Sequence, residues 1–395
     1  MQTHATPPPV LRQISVRAAM EVLLKEGPTS RAALAKKTGL SKQTMSEVIR
    51  ALEESGWVRV NGMISGKVGR SAVTYEVAED GGYAIGIDLG ATTLRIAIVS
   101  VTGTIIEEGE FAVGGKAGAD LVNHLNACVS KVVSASAVPL EKLFLGTVAT
   151  PGVIEPETGA LLMAPNMPGT DSINLIEELS QAIGCPVIIE NDVNAAVLGE
   201  SWKGVNAGIS NAAFIMLGTG IGLGMLIDGK LIKGARGAAG EISYLPFGSD
   251  PYSNDSLDRG ALETAISAAG LMSRYRAAGG QQLNVRDVFA EAEAGHTAAR
   301  DTIRQTARLA ALLILSVDAM IDPQTIFLGG NVGRHPLLFG MIEEELPRLT
   351  RRRIKLEVST LGSRATVVGA VAIALNQMHN SLFSPKDFPT KMQLP

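Results

Sequence analysis

The sequence predicts an α/β protein with a small basic helical head followed by a two-lobed body. Three observations carry this reading. Positive charge gathers near the N-terminus: residues 12–70 hold eleven Lys/Arg against five Glu, a net of +6, which leaves −10 for the rest of a chain totalling −4. A strand, glycine turn, strand pattern occurs at 84–111 and again at 212–234. Helical stretches alternate with short apolar strands, as they do when helices cover sheets. At 395 residues the chain exceeds the usual single domain. Its 46% apolar and 19% charged residues are those of a globular protein with a sizeable core.

The head comes first. After Pro7-Pro8-Pro9, Ile14, Ala18 and Val22 recur at helical spacing and predict an amphipathic helix ending near Gly27-Pro28. Ser30 is placed to cap a second helix, RAALAKKT, closed by Gly39; Ser41 is placed to cap a third, KQTMSEVIRALEES, stopped by Gly56. In the third helix Met45, Val48, Ile49 and Leu52 form one apolar stripe, and Lys42, Gln43, Thr44, Ser46 and Arg50 form the other face. Two short helices joined by a tight glycine-containing turn match the helix-turn-helix unit. With Ser41, that face supplies donors and acceptors of the kind that read base edges and phosphates. WVRVNGMIS and VTYEVA then predict a hairpin around GKVGRSA, whose Lys67 and Arg70 make a basic wing. The alternative is a small domain docked on its own body with a solvated basic face. The winged helix-turn-helix reading takes residues 1–79, with operator DNA as partner.

The body begins at Tyr83. AIGIDLGATTLRIAIVSVTGTIIEEGEF and AAFIMLGTGIGLGMLIDGKLIKG share one grammar: strand, glycine turn, strand, turn, strand. Helices are expected at 119–135, 173–183 and 298–320, and buried strands at LFLGTVA, PVIIEN and TIFLGG. Two such lobes, over 80–195 and 196–395 with the C-terminal helix free to return to the first lobe, are the layout of actin-like sugar kinases, whose lobes are ribonuclease H-like. Cys128 and Cys185 lack metal-type spacing and read as reduced core thiols. MQTHATPPPVLRQ has no apolar signal-peptide core, and no apolar run reaches the ~18–20 residues that span a bilayer, so a cytoplasmic protein without membrane contact is expected.

LGTGIGLGMLIDGKLIKGARGAAGEI, TPGVIEPETGALLMAPNMPG and ENDVNAAVLGE together resemble blocks of the ROK family, and almost the whole chain resembles its winged-helix transcriptional repressors. The resemblance implies a sugar site. Asn191 would hydrogen-bond ring hydroxyls, and Asp192 matches the family's general base, which in a sensor would accept a sugar hydroxyl. A turn-forming Asx pair that caps the next helix is the other reading of these two. Glu241 matches a sugar-contacting glutamate, Glu263 in GALE matches the glutamate of the family's GCxE, and Asn166 in APNMPG lies in a further sugar-proximal block. Tyr244 stands where the family has a histidine and is expected from the resemblance to reach a sugar hydroxyl or stack on the ring, and the cysteines that bind zinc with that histidine are missing from YLPFGSDPYSNDSLDRGALE. A tetrahedral zinc site needs four donors, so no metal is expected and Tyr244, Tyr252 and Asp258 are expected to hold the loop instead.

In the family's kinases the first glycine turn holds ATP phosphates and Mg²⁺, and main-chain N–H groups of a turn like the second can bind phosphate. Asp88, Gly90 and Thr92 match the first turn, although GGTK is replaced by Gly90-Ala91-Thr92-Thr93; Gly218, Thr219, Gly220 and Gly222 preserve the second. These read as vestigial phosphate loops in a scaffold. The expected function is a DNA-binding repressor, not an enzyme, whose body senses a sugar or sugar derivative. The alternative is an active ATP-dependent sugar kinase with an appended DNA-binding domain, and only that reading calls for Mg-ATP. Symmetric operator recognition predicts a homodimer or higher homo-oligomer, with Ala307, Ala310, Ala311 and Ile314 serving either an interface or the core.

Overall fold

The computed structural model describes residues 10–65, 71–154, 161–162 and 174–383. Three helices open it: α1 (Val10–Glu26), α2 (Arg31–Thr38) and α3 (Lys42–Glu54). Ser30 Oγ accepts the Ala33 N–H at 3.3 Å and starts α2. Gly39 ends it at φ +72°, a left-handed conformation that costs glycine least. Ser41 Oγ then accepts the Thr44 N–H at 3.1 Å and starts α3. Met45, Val48, Ile49 and Leu52 are buried on one side of α3, as their spacing predicts. On α1 the buried residues are Ser15, Ala19, Met20 and Leu23, while Ile14, Ala18 and Val22 are only half-buried. The expected stripe was displaced because apolar and polar residues of α1 are mixed around the helix, so periodicity alone selects no face.

The short strand β1 (Thr29–Ser30) joins the hairpin β2 (Val58–Ser65) and β3 (Ser71–Val77) in the order β1-β3-β2. The hairpin register runs from Val58 opposite Val77 to Ser65 opposite Ser71, with an irregularity between Val60 and Gly62.

The body contributes β4 (Tyr83–Leu89), β5 (Thr93–Ser100), β6 (Ile105–Ala112), α4 (Gly118–Ser136), β7 (Leu143–Thr150), β8 (Val153–Ile154), β9 (Leu161–Leu162), α5 (Leu175–Ile183), β10 (Val187–Asn191) and α6 (Asp192–Lys203). There follow β11 (Ala212–Leu217), β12 (Ile221–Ile227), β13 (Lys230–Leu231), α7 (Asn254–Arg259), α8 (Ala261–Ile266), α9 (Ala268–Ala277), α10 (Val285–Glu293) and α11 (Thr297–Ile321). The last elements are β14 (Thr325–Gly329), α12 (Gly330–Gly333), α13 (Pro336–Leu349), β15 (Leu356–Val358) and α14 (Ala365–Phe383).

Two compact units result. One lies within Met1–Thr150, Glu155–Ile189 and Ala370–Pro395, the other within Pro151–Ile154 and Glu190–Gly369. Their five-stranded sheets share one topology: β10-β7-β4-β5-β6 in the first and β13-β12-β11-β14-β15 in the second. In each, the opening strand pairs antiparallel with the next and parallel with the fourth. The repeated sequence grammar is thus a repeated sheet order. Ala307, Ala310, Ala311 and Ile314 are at most 1% exposed and belong to the core of the second unit, which removes them as interface residues. Cys128 and Cys185 are free and buried, and burial pushes the Cys185 thiol up to about 12. Among the described residues no helix is long and apolar enough to cross a membrane.

Candidate functional site

The exposed face of α3 is set by the caps and the buried stripe. Lys42, Gln43 and Arg50 are exposed, while Thr44 and Ser46 are half-buried. Local bonds already engage the hydroxyls: Ser41 Oγ lies 2.8 Å from Thr44 Oγ1, and Ser46 Oγ donates to the Lys42 carbonyl at 2.9 Å. Gln43 Nε2 reaches Glu47 only at 3.4 Å, and Arg50 lies 3.8 Å from Glu54. Lys42, Gln43 and Arg50 are therefore exposed and at most loosely held on this face, and Ser41, Thr44 and Ser46 chiefly shape the helix start. Lys67 and Arg70 lie outside the described residues. Lys36 on α2, which the sequence reading passed over, is exposed and makes no ion pair among the described residues. By contrast Arg59 on the hairpin is tied to Glu76 at 2.8 Å.

In the second unit the polar cluster begins where β10 meets α6. Asn191 is extended, and its Oδ1 accepts the N–H groups of Val193 at 3.0 Å and Asn194 at 3.2 Å. Its Nδ2 donates to the Gly152 carbonyl at 3.4 Å. Asn191 thus caps α6, and only its second amide hydrogen is left for a ligand. Asp192 is the first residue of α6, with Oδ1 accepting the Val193 N–H at 2.8 Å. Its Oδ2 makes no hydrogen bond with the described residues. Burial pushes the Asp192 carboxyl up to about 6, against the lowering by the Val193 N–H, and the charge of Glu241 adds to the rise. The residue keeps partial solvent access although its carboxyl lies deep. Glu241 is itself raised by burial and by Glu263. Three carboxylates are thereby electrostatically coupled in series.

Glu263 is used from within. Its Oε2 accepts from Ser243 Oγ at 3.0 Å and from the Ile221 N–H at 3.2 Å, tying α8 to the turn at 242–244 and to the second glycine loop. Tyr244 is about half exposed, and its hydroxyl donates to the Asp258 carbonyl at 3.3 Å. Tyr244 and the main chain of Asp258 thus hold the loop together, as expected. Tyr252 does not, because its side chain is 88% exposed. The residues present do not fit the family's zinc, and among the described residues no group of three His, Cys, Asp or Glu is placed to hold a metal ion.

Glu190 was missed. It is 7% exposed, paired with Lys233 at 2.5 Å, and its Oε1 accepts from the Asn191 N–H and Asn194 Nδ2, each at 3.1 Å. A carboxylate closing the apolar run VIIEN was the available signal. A cavity of about 340 Å³ lies beside Gly234, Ala235, Arg236, Ala238 and Ala239, just ahead of Glu241 in the chain. Asn166 lies outside the described residues.

The glycine turns fit phosphate poorly. In the first unit Asp88 is buried at the end of β4 with Arg95 Nη1 at 3.3 Å, and the Gly90 N–H is spent on the Thr93 carbonyl at 3.1 Å; Thr92 is exposed. A carboxylate already neutralised by arginine is a weak ligand for Mg²⁺. In the second unit the Gly218 N–H donates to the Gly220 carbonyl at 2.9 Å, and Thr219 is exposed. The Ile221 N–H is taken by Glu263, whose Oε2 lies 3.3 Å from where a side chain on Gly220 would begin. Gly222 faces Val193 at the start of α6. A fixed negative charge beside such a loop opposes a phosphate.

Residues 84–377 match the ROK family, and residues 4–59 match the family described as winged helix-turn-helix DNA-binding. The xylose repressor of Caldicellulosiruptor bescii is 30% identical, over 93% of this chain and 97% of its own length. The glucokinase of Halalkalibacterium halodurans is 29% identical, over 75% of this chain and 96% of its own. A solved ROK family transcriptional regulator, described as a homolog of the E. coli MLC protein, shares the fold with a TM-score of 0.76 at 22% identity, covering 95% of this chain and 98% of that one.

Proposed function

The chain belongs to the ROK family, and from that premise we infer that it is a DNA-binding transcriptional repressor whose body responds to a sugar or sugar derivative. The observation that carries this is the capped, exposed α3 face of Lys42, Gln43 and Arg50 on the same chain as a ROK body. Such a face supplies phosphate contacts and base-edge contacts together. In the body, Asp192 Oδ2 and Glu241 serve as acceptors for sugar hydroxyls. Asn191 and Glu190 hold the start of α6 in place, and Glu263 holds the facing turn. Names such as xylose repressor among full-length relatives support an aldose as effector. The test is a mobility shift of the full-length protein on its own upstream DNA, with a panel that includes D-xylose and D-glucose. The expected result is a sequence-specific shift that one sugar changes. No specific or non-specific binding at low salt would defeat the reading.

A kinase remains the rival because kinases occur among the relatives and because a carboxyl at about 6 suits a general base. We propose that turnover is absent, since Arg95 occupies Asp88 and Glu263 occupies the second loop. A coupled assay should detect no sugar-dependent ADP release above the rate without protein; sustained release would reverse the assignment.

Assembly follows from the DNA. Half-sites about 34–36 Å apart are met by symmetric dimers. Sedimentation at micromolar concentration is expected to show a homodimer or larger, and a strict monomer with and without operator would contradict this.

A further inference from the structure

Helix α14 starts in the second unit at Ala365 and ends in the first at Phe383. Its opening turn lies against α6, the helix that Asp192 begins. Thr366 Oγ1 donates to the main-chain carbonyl of Asp192 at 3.3 Å. The two backbones touch: a side chain on Gly369 would strike the Ala195 carbonyl, and one on Gly199 would strike the Ala365 carbonyl. Ala195 and Gly199 are four residues apart, as are Ala365 and Gly369, so each helix offers a small pair on one face. Helices packed this closely shift together or not at all, because close-packed contacts jump between arrangements instead of stretching.

Within the first unit the other end of α14 is equally constrained. The backbone of Val371 lies against Gly86 of β4. His379 is fully buried, and burial lowers its pKa to about 4, so the ring is neutral and donates from Nε2 to the Val101 carbonyl at 2.8 Å. Phe383 meets Trp57 edge-on at 5.1 Å, and Phe144 meets the same ring at 5.5 Å. Trp57 belongs to the head. Its main-chain N–H donates to the Leu52 carbonyl at the end of α3, and its carbonyl accepts the Ala78 N–H just after β3, both at 2.9 Å. The main chain of Trp57 thus joins the end of α3 to the hairpin, while its indole packs against Phe144 and against Phe383 in the last turn of α14.

We propose that α14 carries sugar occupancy at Asp192 to the DNA-binding head, with Thr366 positioning one end and the Trp57–Phe383 contact the other. This rests on the sugar-sensor reading given above. A sugar bonded to Asp192 biases the start of α6. The glycine crossing and the Thr366 bond pass that bias to α14, and α14 changes its hold on Trp57 and so the setting of α3.

The test uses the full-length protein, D-xylose as probe, and the variants Thr366→Val, Phe383→Ala and Phe383→Leu. In the wild type, saturating sugar should change operator affinity by about 5- to 150-fold, the usual range of coupling. In Thr366→Val and Phe383→Ala the ratio should fall towards one. Sugar affinity by calorimetry and ligand-free operator affinity should stay within about twofold, because Thr366 bonds the Asp192 main-chain carbonyl and not its carboxylate, and Phe383 does not reach the exposed face of α3. Phe383→Leu should recover part of the response. In a Trp202→Phe background, Trp57 emission should answer to D-xylose, and the answer should vanish with Thr366→Val. Variants that bind sugar and keep the wild-type ratio overturn the proposal. Absence of D-xylose binding by the wild type bears on the sensor reading instead, and a sugar-free measurement then decides the coupling. Thr366→Val should speed amide exchange several-fold in peptides covering 52–58 and 376–383. Faster exchange confined to 192–203 and 365–369 would overturn it.

Discussion

Replacing Asp192 by Asn is expected to weaken sugar binding and shift the dose response to sugar while DNA binding by the ligand-free protein stays near the wild-type level. The substitution keeps the shape, removes the charge, and turns one acceptor into a donor beside Glu241. A buried hydrogen-bonding mismatch costs about 1–3 kcal/mol, so sugar affinity should fall by roughly one to two orders of magnitude. In a kinase the same change would stop turnover and spare much of the affinity, because the lost function would be proton abstraction. Calorimetry, operator release and ADP formation on both proteins separate the cases.

The same variant carries a pH signature. The folded Asp192 carboxyl titrates at about 6, above its ordinary 3.8. Between those values the native state holds a proton that the unfolded chain has released, so stability contributed by this group is present at acid pH and is lost as pH rises through about 6. Asn has no charge to bury. At pH 7.5 Asp192→Asn should therefore be more stable than the wild type, by something on the order of 1–3 kcal/mol, and the gap should close near pH 4. Denaturant titrations at the two pH values measure it, and equal stability at pH 7.5 would refute the burial of a costly charge there.

On the head, Gln43→Ala and Lys42→Ala are expected to fail in different ways. Gln43 is exposed and only loosely held by Glu47 at 3.4 Å, which leaves its amide free to pair with an adenine edge. Its loss should cost about 1–3 kcal/mol on the operator and relax preference at one or two base pairs. Lys42 at the start of α3 is a phosphate contact. Its loss should weaken operator and scrambled DNA alike and reduce the salt slope by about 0.9. Titrations of both DNAs over a salt series distinguish them. An equal effect of Gln43→Ala on both DNAs would assign that residue to the backbone.

What was legible in the sequence was local. Ser30, Gly39 and Ser41 act on their own neighbours, and the Met45 stripe repeats within one helix, so caps, turn and buried face could be read directly. The two lobes were legible because each repeats the same strand and glycine order. Side-chain partners were not. Glu263 reaches Ile221 across 42 positions, and Thr366 reaches Asp192 across 174. Neither pairing leaves a periodic trace. Asn191 illustrates the ambiguity of a short motif, since capping α6 and facing a ligand call for the same residue. Tyr252 shows the opposite error: an aromatic residue in a loop suggested an anchor, yet no partner draws it in.

The course of α14 also orders events on the ribosome. The first unit takes its other parts from the first 189 residues, yet it is completed only by residues from 370 onward. About 180 residues of the second unit must be made in between, which takes roughly 10–40 s at ordinary elongation rates. Through that interval Trp57, Gly86 and Val101 wait for the partners that α14 will bring. A chain halted before Ala365 would carry a finished set of head helices with Phe144 but not Phe383 against its indole. Such fragments should be open to proteases at the head, so that chains carrying α14 are the ones that persist to compete for the promoter.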